Sequence, residues 1–253
     1  MPNLLLVRYV LMAALRDKLV ASFFLALVIA ISLSLFLSSA AVVEQAKFAL
    51  VFASGGLRLF VSLALILFVV FHMRRSFDTK DVDFLLSRPI SRLSYILSHA
   101  VAFSLLAVAL SLLSAGALAA ISGGALGQAE LVWIASLCAE AVIMVNVSLF
   151  FAMVVSSAVG AALACFGFYL LGRMMGQILG IIDTESAPWA AIFEWPMQFI
   201  SLFMPRLDLM GQTSWLVYGL GDGVGLPYVM GQAAIFVFLV LCAALVDLVR
   251  RQF

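Results

Sequence analysis

The chain has 253 residues, of which 66% are hydrophobic and 11% charged, with a mean hydropathy of +1.22 and a net charge of +1. Soluble domains run near 45–50% apolar and about 25% charged, so this composition excludes a water-soluble globular enzyme and predicts an all-α integral membrane protein. A near-neutral charge gives no reason to expect a nucleic-acid partner, and the information lies in where the charges sit.

Residues 2–18 mix Leu4, Leu5, Val7, Val10, Leu11 and Leu15 with Arg8 and Arg16. That pattern suits an interfacial helix over residues 1–18, or a cytoplasmic extension of the adjoining apolar run. This charge-free run, 19–43, is long enough to cross a hydrocarbon core of about 30 Å at about 1.5 Å per residue, and it exceeds the apolar core of a signal peptide. It is the first expected span. Residues 48–73 carry only Arg58 and form the second, residues 94–121 the third, with Gly123, Gly124 and Gly127 as its exit turn. Between residues 131 and 182 only Glu140 and Arg173 interrupt the apolar run, which requires two spans, 131–155 and 159–182, folded at Ser156, Ser157 and Gly160. Residues 183–227 hold Trp189, Trp195 and Trp215 among Pro188, Pro196, Pro205 and Pro227, which predicts short amphipathic or re-entrant helices at the outer leaflet. Residues 228–249 are the sixth span, and residues 1–253 form a single transmembrane domain.

Basic residues in short loops set orientation. With six spans both termini share a side, and that side collects Arg8, Arg16, Lys18, Arg74, Arg75, Lys80, Arg88, Arg92, Arg250 and Arg251. Both termini are therefore expected in the cytoplasm, with the protein in a plasma membrane such as the bacterial inner membrane.

The polar island at 74–92 holds eight charged residues between two spans, basic at both ends and acidic in the middle, which makes it a candidate docking surface. Asp78 can cap a helix beginning at Thr79, with Asp81 in its first turn and Phe77 and Val82 as a hydrophobic staple. Pro89 disfavours helix at Arg88, and Ser91 can cap the helix that enters the third span.

Arg58, Glu140 and Arg173 each lie about nine or ten residues from the outer end of their spans, so similar depth permits pairing. Ionisable groups there either neutralise one another or line a pathway. Glu140 is expected to pair with Arg173, with Arg58 as second choice, because the fourth and fifth spans form a tight hairpin. Asn146 suits an interhelical hydrogen bond. His72 and His99 lack a third ligand of useful spacing, so packing or a backbone hydrogen bond is expected rather than a metal. Cys138, Cys165 and Cys242 are scattered singly and read as small packing residues.

Several elements together resemble the membrane subunit of ABC-2 type ABC transporters: Glu44 and Lys47; Gly55, Gly56 and Leu57; Arg74 and Arg75; Leu85-Leu86-Ser87-Arg88-Pro89-Ile90-Ser91-Arg92 and Tyr95; Glu140; Pro205 to Leu209; Tyr218 and Gly219; and the terminal basic pair. The similarity covers almost the whole chain in order. The resemblance implies a six-span permease with an interfacial N-terminal helix and a cytoplasmic coupling helix between spans two and three. It implies that Asp78, Lys80, Asp81, Asp83, Phe84, Leu85, Arg88 and Arg92 contact a separate ATPase subunit, present in two copies, and that a second permease half, identical or related, completes the transporter. The chain has no G-x-x-x-x-G-K-[ST] phosphate loop and no catalytic motif. ATP and magnesium are therefore expected in the partner, no cofactor in this chain, and membrane lipids around it. A non-transporting scaffold that recruits a cytoplasmic partner through residues 74–92 is the alternative.

Overall fold

A backbone in hydrocarbon must satisfy its own hydrogen bonds, and this chain does so with helices. The computed structural model describes residues 3–16, 19–39, 45–79, 91–122, 127–184, 195–196, 199, 204–220 and 225–250, with no strand among them. In chain order the helices are α1 (Leu4–Arg16), α2 (Leu19–Ser39), α3 (Gln45–Asp78), α4 (Arg92–Ser122), α5 (Gln128–Val154), α6 (Ala158–Thr184), the single turns α7 (Leu207–Met210) and α8 (Trp215–Tyr218), and α9 (Leu226–Arg250). Five of them, α3, α4, α5, α6 and α9, are long and apolar enough to cross a membrane. Taken together, α1 and α2 pass the same test as a pair bent by 55°, so among the described residues the count by length and composition is five, or six with that pair as one broken span.

Helix α5 is the hub. It packs against α3, α4, α6 and α9, and 72% of its most apolar window is buried, against 17% for α9. A helix apolar all round can be buried all round, and Ser136, Ala139, Ala141, Ser148 and Ala152 let its neighbours approach closely. Facing it, α3 buries two adjacent rows at four-residue spacing. One row runs Ala49, Ala53, Leu57, Val61, Leu65, Val69 and Met73. The other runs Ser54, Arg58, Ser62, Ile66 and Val70, and so carries a guanidinium into the core between two serines. By contrast, α6 and α9 turn Leu163, Leu170, Ile235, Phe238 and Leu239 outward, as lipid-facing helices do.

Helix α1 buries Leu6, Val7, Val10 and Ala14 on one side while Leu4, Leu5, Tyr9 and Leu15 stay exposed. It lies against α4, where the Asn3 amide donates to Ser98 Oγ at 2.7 Å. Ser91 caps α4 as its sequence suggests: its Oγ accepts from the Ser94 amide at 3.2 Å. Ser157 does the same for α6, accepting from the Gly160 amide at 3.3 Å in the turn between α5 and α6.

Asp78, expected to cap a helix whose residues beyond Thr79 lie outside the described ones, belongs to the preceding helix. It is the last residue of α3, the Thr79 amide still donates to the Arg75 carbonyl at 2.9 Å, and Arg74 holds the Asp78 carboxylate at 3.2 Å. An i,i+4 ion pair keeps this carboxylate inside the preceding helix, with the Arg74 guanidinium 5.9 Å from the Phe77 ring.

Ser76 and Ser214 should therefore label from opposite sides of a membrane. Ser214 lines a cavity with Lys47 and Phe48 at the start of α3, and Ser76 lies about 42 Å further along the same helix. With Cys138, Cys165 and Cys242 replaced by Ala, Ser76→Cys should react with an impermeant maleimide from one side only and Ser214→Cys only from the other. Labelling of both from one side would refute the arrangement.

Candidate functional site: a buried ion pair beneath the outer segment

The core of the site is one ion pair. Arg58 of α3 donates through Nη1 to Glu140 Oε2 of α5 at 2.6 Å, and both side chains are 0% exposed. Removing a carboxylate and a guanidinium from water costs several kcal/mol per ion even after relaxation, so a buried pair persists only where other polar groups share the charge. Here Arg58 Nη2 donates to Ser136 Oγ at 2.8 Å and to the Trp133 carbonyl at 3.4 Å. Its guanidinium also sits 4.9 Å from the centre of the Trp133 ring, a cation–π distance. Arg58 Nε, Glu140 Oε1 and the indole nitrogen of Trp133 are buried with no hydrogen-bond partner among the described residues.

The expected partner of Glu140, Arg173, is not the one that binds it. Arg173 of α6 instead donates through Nη1 to the carbonyls of Leu207 at 3.4 Å and Gly211 at 3.3 Å. Equal depth is a sound guide to proximity but not to rotation about the helix axis. Arg58 belongs to the row of α3 that faces α5, whereas Arg173 projects toward α7, with its guanidinium 5.9 Å from the Tyr169 ring.

Both arginines converge on one short element. Besides the two carbonyls held by Arg173, the Met210 carbonyl accepts from Arg58 Nη1 at 3.5 Å. The Met210 and Gly211 carbonyls lie at the C-terminal end of α7, where backbone acceptors lack helical partners and cations are favoured, while the Leu207 carbonyl also accepts from the Gly211 amide at 2.9 Å. At the other end of α7, Arg206 and Asp208 form a two-bond pair, Nε to Oδ1 and Nη2 to Oδ2, both at 3.0 Å. Hydrogen bonding to Asp208 raises the Arg206 guanidinium above its ordinary value, against the opposing effect of partial burial.

Glycines admit this turn into the bundle. A Cβ at Gly172 would lie 3.0 Å from Leu207 Cδ1 and 3.2 Å from the Pro205 carbonyl, and one at Gly176 would collide with Asp208 Oδ2. A Cβ at Gly211 would fall on the Arg173 guanidinium. The G-x-x-x-G spacing of Gly172 and Gly176 is thus a docking face for α7, a signal present in the sequence that span lengths and charge positions do not reveal.

Of the other predicted residues, Asp78 is paired with Arg74 within α3. Arg92 donates to the Leu248 and Val249 carbonyls at 2.8 and 3.1 Å, tying the start of α4 to the end of α9. Lys80, Asp81, Asp83, Phe84, Leu85 and Arg88, together with the expected helix they compose, lie outside the described residues. Asn146 Nδ2 reaches Ser104 Oγ on α4 at 3.2 Å, an interhelical bond. His99 Nδ1 donates to the Tyr95 carbonyl at 3.0 Å, and His72 and His99 both pack against Phe103. No group of three candidate metal ligands occurs among the described residues.

No protein-family model matches this chain, and no curated protein does.

Arg58→Gln and Glu140→Gln should each lower stability by about 3–5 kcal/mol, since each leaves the other charge buried without its partner. The double mutant should lose less than the sum, with a coupling of about 1–3 kcal/mol in a thermal or denaturant cycle in detergent. The corresponding cycle for Glu140 and Arg173 should give a smaller coupling. The reverse order of the two couplings would contradict the observed pairing.

Proposed function

We propose that this chain is the membrane-embedded subunit of an ATP-driven transporter of the ABC-2 type, an integral membrane protein that exports its substrate by alternating access. The observation that carries this reading is the charged island at 74–92, inserted between two helices long enough to cross a membrane and bearing the Leu-Leu-Ser-x-Pro-x-Ser-Arg element. Charge so concentrated in an otherwise apolar chain suits contact with a soluble protein. The chain has no phosphate-binding loop of its own, so the proposed energy source is a separate ATPase subunit in two copies, which carries ATP and magnesium. Six spans, cytoplasmic termini, a coupling helix within the island and a second permease half belong to the same proposal.

The route of coupling runs along one continuous helix. α3 carries Arg74 and Asp78 at the island and Arg58 about 30 Å away beneath α7. A packed helix transmits displacement as a rigid element, so motion imposed on the island reaches the carbonyls that Arg58 holds. In this reading the Arg58–Glu140 pair is the fulcrum and the α7–α8 segment closes the outer end of the pathway.

A tagged chain purified from its native membrane should bring down an ATPase subunit, and Asp81→Lys with Asp83→Lys should cut the recovered ATPase to roughly a tenth, since like-charge contacts cost several kcal/mol. Helix content and yield of the permease should be unchanged. Full recovery of the ATPase by the double mutant would remove the island from the contact. Purification with a partner that does not hydrolyse ATP would favour the scaffold.

A further inference from the structure

Charge accounting around α7 leaves one cation over. Glu140 is taken by Arg58 and Asp208 by Arg206, and among the described residues no carboxylate lies within ion-pair distance of Arg173. Two carbonyls occupy its Nη1 and orient the guanidinium, but carbonyl dipoles do not neutralise a full charge. Arg173 borders a cavity of about 450 Å³ between α3, α6 and the residues after α7. Gln177, Gln212 and Thr213 add hydrogen-bonding side chains to its wall, Asp208 adds a carboxylate that Arg206 holds, and Gly55, Gly176 and Gly211 leave backbone bare. A second cavity of about 400 Å³ adjoins it, with Thr213 in both walls. Its lining changes character: Phe48, Val51, Val217 and Tyr218 are apolar, with Lys47 among them.

We propose that these adjoining cavities bind an amphipathic organic anion, its carboxylate or phosphate head on Arg173 and its apolar body along Phe48, Val51 and Val217. Ligand sites commonly enclose about 300–1,000 Å³, mostly apolar with a few convergent polar groups, and each cavity falls in that range. The planar guanidinium matches an oxyanion in two-point geometry, and the carboxamides of Gln177 and Gln212 can donate to the same head. A cationic head would meet Arg173 and Lys47, with the Asp208 carboxylate in the wall already held by Arg206, and an uncharged head would leave the guanidinium without an anion while desolvating it. The apolar second cavity distinguishes an amphiphile from a free inorganic ion. Binding is a property of this chain alone and does not rest on the transport reading.

The test is calorimetric titration of the purified full chain in nanodiscs of zwitterionic lipid, against empty nanodiscs as background. Octyl phosphate is the probe, octyl glucoside the uncharged control and inorganic phosphate the head alone. Octyl phosphate should bind saturably, and Arg173→Gln should weaken it by roughly tenfold or more, the worth of one charge-assisted hydrogen bond. Because Arg173→Gln also releases α7, a second variant carries the decision if that one fails to fold. At Gly55, in the wall of the same cavity, a Cβ would have ordinary room, 4.0 Å from the Thr213 methyl, so Gly55→Leu adds apolar bulk from α3 while position 173 remains Arg. It should preserve thermal stability and weaken octyl phosphate by a similar factor. Equal binding of octyl glucoside, or octyl phosphate affinity unmoved by Gly55→Leu, overturns the proposal. Inorganic phosphate binding as tightly as octyl phosphate would overturn its amphipathic half and assign the cavity to a small free anion.

Discussion

The Arg58–Glu140 bond fixes more of this molecule than any apolar contact does. Apolar helices in an apolar surround gain little from meeting one another, so their packing is selected by shape and by the few polar groups that must find partners. A buried guanidinium admits one solution here. α3 has to be turned so that Arg58 faces α5, and α5 so that Glu140 and Ser136 face Arg58. The turn at α7 then offers the Met210 carbonyl to the same group. Rotation of either long helix by one residue, about 100°, would strand an ion in hydrocarbon. Van der Waals contacts along the two buried rows of α3 are then made in the register that the ion pair dictates.

Polar ties sit at both ends of the bundle, with hydrocarbon packing between them. Near one end, Arg58 and Arg173 hold the carbonyls of α7, while near the other Arg92 holds those of α9 and Asn3 is joined to Ser98. At Met210, Gly211, Leu248 and Val249 the acceptor lies at a helix C-terminus, where free carbonyls need donors and the dipole favours a cation. Strength is unequal across the section. α5 is enclosed, whereas α6 and α9 have only 33% and 17% of their apolar windows buried. Those two helices present most of their surface to whatever surrounds the chain, and their outward Leu, Ile and Phe side chains are as compatible with lipid as with another apolar helix.

Much of the local structure is legible in the sequence because it depends on near neighbours. Ser91 and Ser157 cap helices by geometry that a single residue supplies, and the long apolar runs announce helices of membrane-crossing length. Asp78 shows a second short-range role, since a capping residue and an i,i+4 partner are both local, and here Arg74 four residues earlier pairs with it. The choice between Arg58 and Arg173 is not legible from depth, since depth fixes height and says nothing of azimuth. Azimuth is available in part: Ser54, Arg58 and Ser62 form a row of small side chains flanking a large polar one, which marks the face where a neighbour comes close. The role of Gly172, Gly176 and Gly211 requires knowing that α7, more than thirty residues away in sequence from the two α6 glycines, returns to that face.

Two cations and one anion at the buried level leave a net positive charge beneath α7, and the backbone carbonyls that surround it offset this charge without cancelling it. Such an arrangement is costly in an apolar chain if stability alone is at stake, because an uncharged side chain at position 173 would avoid the desolvation of a guanidinium. Arginine does two things that Gln cannot. It reaches two carbonyls from one nitrogen while keeping its remaining donors available, and it projects a field that survives where screening by salt is weak. Compensation by an anion from outside the chain would satisfy both, and the cavity beside Arg173 is bordered by glycines at the positions where a side chain would obstruct its approach. Arg58 is enclosed by protein with its carboxylate, whereas Arg173 stands in a cavity wall, and that difference in placement is what the proposed ligand site rests on.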